Sequence, residues 1–277
     1  MSDCYIQILT PNGLEDVPYS ASSLNEAAQY EPDDGVYTVT NTYNTTQVLK
    51  FDAHLERMEN SARLANIPLK LDRARLRATL RQMILDSGLG DVRFRITVPR
   101  DKTDYFILSL EPYTPPPAEV YTSGVKVITA PDSARHNPAA KTTDWMHERQ
   151  RLTQAMPTGI YDTILLDEAG NMLEGLASNF YAILNEELRT AGEGVLPGIA
   201  QQIVFEVAPM VLPLRKEAVN VREIPDLSEA FITSSSRGIV PVIEIDGHVL
   251  GDGKPGACTK RLREAYVVWV QAHLEEL

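Results

Sequence analysis

Four segments of this 277-residue chain carry side chains suited to one kind of chemistry. Lys141 stands in Asn137-Pro-Ala-Ala-Lys-Thr-Thr-Asp, and its amine can condense with an aldehyde. Glu174 stands in Gly170-Asn-Met-Leu-Glu-Gly-Leu-Ala-Ser-Asn-Phe, and a carboxylate can keep a nearby ring nitrogen protonated. Leu196-Pro-Gly-Ile-Ala reads as a helix start, whose first N–H groups point outward and suit a phosphate. Thr233-Ser-Ser-Ser-Arg-Gly-Ile-Val-Pro-Val sets hydroxyls and a guanidinium before an apolar strand. Taken singly, each segment has an ordinary reading. A lysine or glutamate is usually a solvated charge, and Pro-Gly punctuates many helix starts.

Together they meet the needs of pyridoxal phosphate (PLP), which takes a Schiff-base lysine, an acid at its pyridine nitrogen and donors around its phosphate. The order is informative as well. Lys141, then Asp167-Glu-Ala-Gly-Asn-Met-Leu-Glu-Gly, then Leu196-Pro-Gly-Ile, then the serine run resembles the class IV (fold type IV) aminotransferases. That family includes branched-chain aminotransferases, D-amino-acid aminotransferases and 4-amino-4-deoxychorismate lyase. Asp34-Gly-Val-Tyr and Phe51-Asp-Ala-His-Leu-Glu-Arg-Met-Glu-Asn-Ser-Ala-Arg-Leu are similar to its first-domain segments, so the resemblance runs from about Gly35 to Arg261.

The resemblance implies roles. Lys141 is the Schiff-base lysine and moves the proton between substrate Cα and cofactor C4′. Glu174 pairs with the pyridine nitrogen. Arg57, the backbone N–H groups of Ile199 and Ala200, and Ser235 and Ser236 hold the phosphate. One arginine among neutral donors balances a dianion without excess charge. The expected partners are an amino donor and a keto-acid acceptor, with the chain as a homodimer. Arg100, in Ile96-Thr-Val-Pro-Arg-Asp, is similar to a D-amino-acid aminotransferase arginine that binds the substrate carboxylate. A guanidinium fork suits that task. Arg135 and Arg237 are further candidates for it, and Tyr37 is expected to line the substrate pocket.

The chain also departs from the pattern. Branched-chain enzymes carry a tyrosine five residues after the lysine, where this chain has Met146. Gly-Ile-Thr-Arg becomes Gly198-Ile-Ala-Gln, with one hydroxyl fewer near the phosphate. These changes favour a D-amino-acid or broad-specificity transaminase over a branched-chain one. A lyase of the aminodeoxychorismate type stays open, through Arg135-His-Asn-Pro and the Arg237-Gly-Ile-Val-Pro-Val run. So does a family member that binds a ligand without catalysis, although Lys141 and Glu174 are both present.

The elements that must position these residues follow from hydrophobic period. Val36 to Tyr43 and Thr46 to Phe51 read as a hairpin, and a helix begins near Ala53 with Leu55, Met58 and Ala62 on one face. Asp72 is expected to cap a helix from Arg73 to Ser87 that ends at Gly88. Alternating strands follow at Val92 and Tyr105. Tyr113-Thr-Pro-Pro-Pro breaks the pattern and suggests a boundary, with a first domain over residues 1–113, a linker over 114–124 and a second domain over 125–277. The resemblance implies that the first is a small α/β domain and the second a larger one with a barrel-like β core. In that second part, strands are expected at Gly124, Asp162, Asn179, Glu229 and Val242 to Leu250, with helices at Trp145, Gly198 and Gly256. The fold class is α+β.

Composition narrows the surroundings. A net charge of −12 argues against nucleic acid, since the short basic runs at Arg73 and Lys260 sit between acidic neighbours. No stretch reaches the roughly 20 apolar residues of a membrane helix. Two distant cysteines, Cys4 and Cys258, indicate neither a disulfide framework nor a metal site. The start, Met1 to Gln7, lacks the charge and apolar run of a secretory leader. A cytoplasmic protein is expected.

Overall fold

The computed structural model describes residues 4–277; Met1 to Asp3, where the segment read for a leader begins, lie outside them. The first elements are β1 (Tyr5–Thr10), β2 (Gly13–Asp16), α1 (Leu24–Ala27), β3 (Gly35–Asn41), β4 (Gln47–Leu49), α2 (Phe51–Leu64), α3 (Arg73–Ser87), β5 (Val92–Pro99) and β6 (Phe106–Pro112). Then come α4 (Ala118–Thr122), β7 (Val125–Ala130), α5 (Thr143–Gln154), β8 (Asp162–Leu166), β9 (Met172–Gly175), β10 (Ser178–Leu184) and β11 (Glu187–Arg189). The chain finishes with α6 (Ile199–Val207), β12 (Leu214–Arg215), β13 (Glu229–Ser234), β14 (Gly238–Ile245), β15 (His248–Val249), α7 (Ala257–Ala272) and β16 (Leu274–Glu276).

Two compact units result. The first holds the residues up to Thr114 with Ala140–Gln150 and His273–Leu277; the second holds Pro115–Ala139 and Arg151–Ala272. A cut at the proline run assigns both of those later segments to the second body. Backbone pairing brings them into the first, through a bridge from Thr142 to Val36 and through β16 against β4.

The first unit is built on an antiparallel sheet in the order β2-β1-β6-β5-β3. One face buries Phe94, Ile96 and Leu108 against Phe51, Leu55 and Met58 of α2 and Leu76, Leu80 and Met83 of α3. Helix α3 has the ends its sequence predicts. The Asp72 carboxylate accepts from Arg75 N at 3.0 Å, and Gly88 closes the helix at φ 65° in the left-handed region. Helix α2 starts two residues earlier than its apolar face suggests.

The hairpin expected over 36–51 is replaced by longer-range pairing. β3 pairs in register with β5, and β4 pairs with β16 near the C-terminus. Only the bridge between Tyr43 and Gln47 joins the two arms directly. Alternation marks a strand without naming its partner. Phe51, read as the end of a strand, is fully buried as the first residue of α2.

In the second unit a six-strand path, β10-β13-β14-β7-β8-β9, closes because β9 also pairs with β10. Closure leaves these strands no free edge. The barrel is filled by residues such as Val127, Ile164, Phe180, Ile232 and Val242. The apolar run from Val242 to Leu250 is broken by Asp246 and Gly247, whose φ values of 50° and 81° turn β14 back into β15. The architecture is α+β, with a small sheet-and-helix unit and a larger unit around a barrel. No described helix is long and apolar enough to cross a membrane.

Candidate active site

The first unit carries a buried group around Lys141. The lysine lies just ahead of α5, and both of its peptide groups are held. Lys141 N donates to Ser61 Oγ at 3.0 Å, and Tyr37 N donates to Lys141 O at 3.1 Å. Its Nζ stands 4.5 Å from the centre of the Tyr37 ring, a cation–π contact. Burial pulls the amine down to about 8, with the positive charges of Arg57 and Arg149 adding to the effect and Tyr37 opposing it. Met146, which stands where branched-chain enzymes have tyrosine, packs on Tyr37 and Ala28.

Arg57 projects from α2 beside this lysine. Its Nη2 donates to Thr38 Oγ1 at 3.3 Å, and Thr38 Oγ1 lies 2.9 Å from His54 Nδ1. A guanidinium only donates, so the threonine oxygen accepts from it, and its remaining lone pair or its own proton meets Nδ1 according to the histidine tautomer. His54 is held neutral, with a pKa well below the usual histidine value. The cause is burial first, then the charges of Arg57 and Lys141. Burial also lowers Arg57, to about 10, which leaves it charged at neutral pH. Its Nε is buried with no hydrogen-bond partner among the described residues. An unsatisfied buried donor is costly unless something else meets it.

A second group lies in the barrel unit. Glu174 sits near the end of β9, in register opposite Asn179 of β10. Its Oε1 accepts from Arg135 Nη1 at 3.1 Å, with both side chains only 5% exposed. Its Oε2 accepts from Leu196 N at 3.0 Å, while Asn179 Nδ2 donates to Leu196 O at 2.9 Å. Glu174 and Asn179 thus hold both polar groups of Leu196, three residues before α6. Gly198, the N-cap of α6, offers no capping side chain, so the N–H groups of Ile199 and Ala200 have no cap acceptor. A Cβ there would stand 2.1 Å from Asn179 Oδ1, so any side chain would have to displace the Asn179 amide.

The remaining expected residues are spread more widely. Ser235 and Ser236 are half-buried in the turn between β13 and β14. Arg237 in the same turn donates through Nε to Ser234 Oγ at 2.8 Å and through Nη2 to Ala177 O at 3.0 Å. Arg100 is on the surface after β5, with Nε on Asp34 Oδ2 at 2.5 Å. Arg135 faces Glu174, so its guanidinium is engaged by a carboxylate of this chain. Lys141, Tyr37 and Arg57 are brought together, as are Arg135, Glu174 and Ile199 through Leu196.

Thr38, His54, Ser61 and Asn179 take part in these groups although sequence reasoning did not single them out. A signal existed for two of them. His54 and Ser61 share helical spacing with Arg57, a polar stripe on a helix whose other buried positions are apolar. Thr38 and Asn179 lie in strands, where nothing local distinguishes them.

Comparison with known proteins places this arrangement. The family model for amino-transferase class IV matches residues 35–245, and the chain belongs to that family. The chain is therefore a PLP-dependent transaminase acting on an amino acid and a keto acid. It is 27% identical over 253 residues to a putative branched-chain-amino-acid aminotransferase of Methanocaldococcus jannaschii, spanning 84% of this chain and 86% of the relative. It is 28% identical over 249 residues to a D-alanine aminotransferase of Bacillus licheniformis, spanning 85% of this chain and 87% of that one. In fold it matches the branched-chain aminotransferase of Escherichia coli, with a TM-score of 0.82 and 98% of each chain covered at 19% identity.

Proposed function

We propose that Lys141 holds the cofactor aldehyde and moves the proton at substrate Cα, while Arg57 and the start of α6 hold the phosphate and Glu174 meets the pyridine nitrogen. The observation that carries this reading is the half-buried Lys141 amine, lowered to about 8 and anchored at both peptide groups. An amine lowered that far is partly neutral near physiological pH, as both a nucleophile and a proton shuttle must be. The donor set fits PLP. Arg57 has an unmet buried N–H, α6 has an uncapped N-terminus, and Arg135 and Leu196 N both donate to Glu174, which holds the carboxylate as an acceptor. Bound PLP supplies the electron sink for the bond broken at Cα. Ser235 and Ser236, in their turn, complete the phosphate donors.

Tyr37, with its ring 4.5 Å from Lys141 Nζ, orients the lysine and lines the substrate side. Met146 behind it is apolar, so it adds no hydroxyl to that wall. The donor range we assign is broad and includes D-amino acids. Its support is that relatives of nearly equal similarity are named for branched-chain and D-alanine substrates. Arg100 and Arg237 remain the arginines we assign to the substrate carboxylate. Arg100 would have to exchange its Asp34 contact for that role. The protein is proposed to work as a cytoplasmic homodimer, a reading supported by the family resemblance and by a sequence with two widely separated cysteines.

One experiment tests the assignment and the donor together. The PLP-loaded protein is reduced with borohydride and mapped by mass spectrometry, and the unreduced protein is mixed with D- and L-alanine and D- and L-leucine. The expected result is a pyridoxyl label on Lys141, and loss of the visible band with donors of both configurations. A label on another lysine, or a colourless protein in excess PLP, would overturn the site. A response to L-amino acids alone would overturn the donor range.

A further inference from the structure

We propose that Ser61 is a positioning residue that ties the backbone of Lys141 to the helix carrying Arg57. The proposal rests on the assignment of Lys141 given above. Ser61 is fully buried in α2, one turn after Arg57. Its hydroxyl lies 2.8 Å from Arg57 O and 3.0 Å from Lys141 N, 80 positions along the chain. The roles are determined by chemistry. A carbonyl only accepts and an amide N–H only donates, so the single hydroxyl proton goes to Arg57 O and a lone pair receives Lys141 N–H.

A serine inside a helix commonly bonds back to the carbonyl four residues earlier and weakens the helix slightly. Here that bond has a use, because it aims the free lone pair at Lys141. An alanine would suit the helix better and would fill nearly the same space. It would also leave Lys141 N–H without this acceptor. Tyr37 N holds the other side of the residue, at Lys141 O, and Thr142 bridges to Val36. Lys141 is thereby referenced to α2 on one side and β3 on the other. Those elements also carry Arg57 and Thr38, with Arg57 Nη2 on Thr38 Oγ1 at 3.3 Å. The spacing between the reactive amine and Arg57 is thus set by tertiary contacts, with Ser61 as the link. A misplacement of about 1 Å at a reacting group costs on the order of a hundredfold in rate.

The test uses the full-length PLP-loaded protein with Ser61→Ala, Ser61→Cys and Ser61→Thr. Single-turnover loss of the visible band with a responsive amino acid is followed with Cα–H and Cα–D donor, alongside a pH titration of that band and a melting curve. The expected result for Ser61→Ala is a rate about 10- to 100-fold lower, a larger deuterium effect and a displaced titration midpoint, with borohydride still labelling Lys141. Ser61→Thr, which keeps the hydroxyl, restores the rate and the midpoint. Ser61→Cys, a weak acceptor of similar size, is slower than wild type by severalfold, and it carries the test if the alanine variant does not fold. A melting point that drops while rate, isotope effect and titration stay at wild-type values would show a structural role only and overturn the proposal. Absence of label on Lys141 in the wild-type protein would remove the lysine assignment, and this proposal with it.

Discussion

At the scale of single residues, Lys141 shows how burial tunes chemistry. A solvated lysine amine is almost wholly protonated at pH 7. Lowered to about 8, this one is neutral in about a tenth of molecules at pH 7 and about nine tenths at pH 9. The sign follows from the charge. Desolvation disfavours the ammonium form, so raising the pH through 8 releases the nucleophile. Capture of PLP by the apoprotein is therefore expected to accelerate about tenfold between pH 7 and pH 9, against about a hundredfold for an unperturbed lysine. Stopped-flow absorbance across that range measures it, and a hundredfold rise would show an amine that is not desolvated. Lys141, Glu174 and Arg57 were legible as candidates because their types and order are informative. Thr38 was not, and His54 and Ser61 showed only as a polar stripe at helical spacing with Arg57, since none of these side chains gives a sign of which neighbour it will meet.

Whole elements tell a similar story. Helix α3 was readable at both ends because its signals are local: Asp72 caps the first turn, and Gly88 takes the left-handed conformation that ends it. The start of α6 was readable from Pro197 and Gly198 for the same reason. What was not readable is what a side chain at position 198 would meet. A Cβ there would lie 2.1 Å from Asn179 Oδ1, and Asn179 in turn holds Leu196 O. Gly198→Ala is accordingly expected to destabilise the protein by about 1–3 kcal/mol through overpacking and to weaken PLP binding. Removing the obstacle should relieve much of this, so the same substitution in an Asn179→Ala background is expected to cost less than in the wild type. Thermal unfolding of the four proteins and PLP titration measure both effects. Additive losses would show that the two residues do not interact. The 36–51 hairpin failed as a reading for the opposite reason, because β3 and β4 each find partners far along the chain.

Across the whole molecule, barrel closure is the decisive event. Each of the six strands has an apolar pattern, but no strand alone indicates that β9 will pair with both β8 and β10. Phe231 of β13 is fully buried and stacks on Tyr181 of β10, with ring centres 4.6 Å apart. Phe231→Ala is expected to lower stability by about 3–5 kcal/mol, the usual cost of removing a buried aromatic ring. Urea unfolding followed by tryptophan fluorescence reads this. A loss under about 1 kcal/mol would mean that the barrel wall repacks around the gap.

The sequence by itself determined the chemical inventory: an amine, a carboxylate, an arginine and a helix start, in an order shared with class IV aminotransferases. It determined most helix and strand positions too, because hydrophobic period and capping act over a few residues. Tertiary structure decided the neighbours. It set Lys141 between Ser61 and Tyr37, turned Arg135 onto Glu174, and brought the segment after Ala139 back against β3. The physical reason is that periodicity specifies which face of an element is buried, whereas the partner on that face is chosen by packing and hydrogen bonding between residues far apart in the chain.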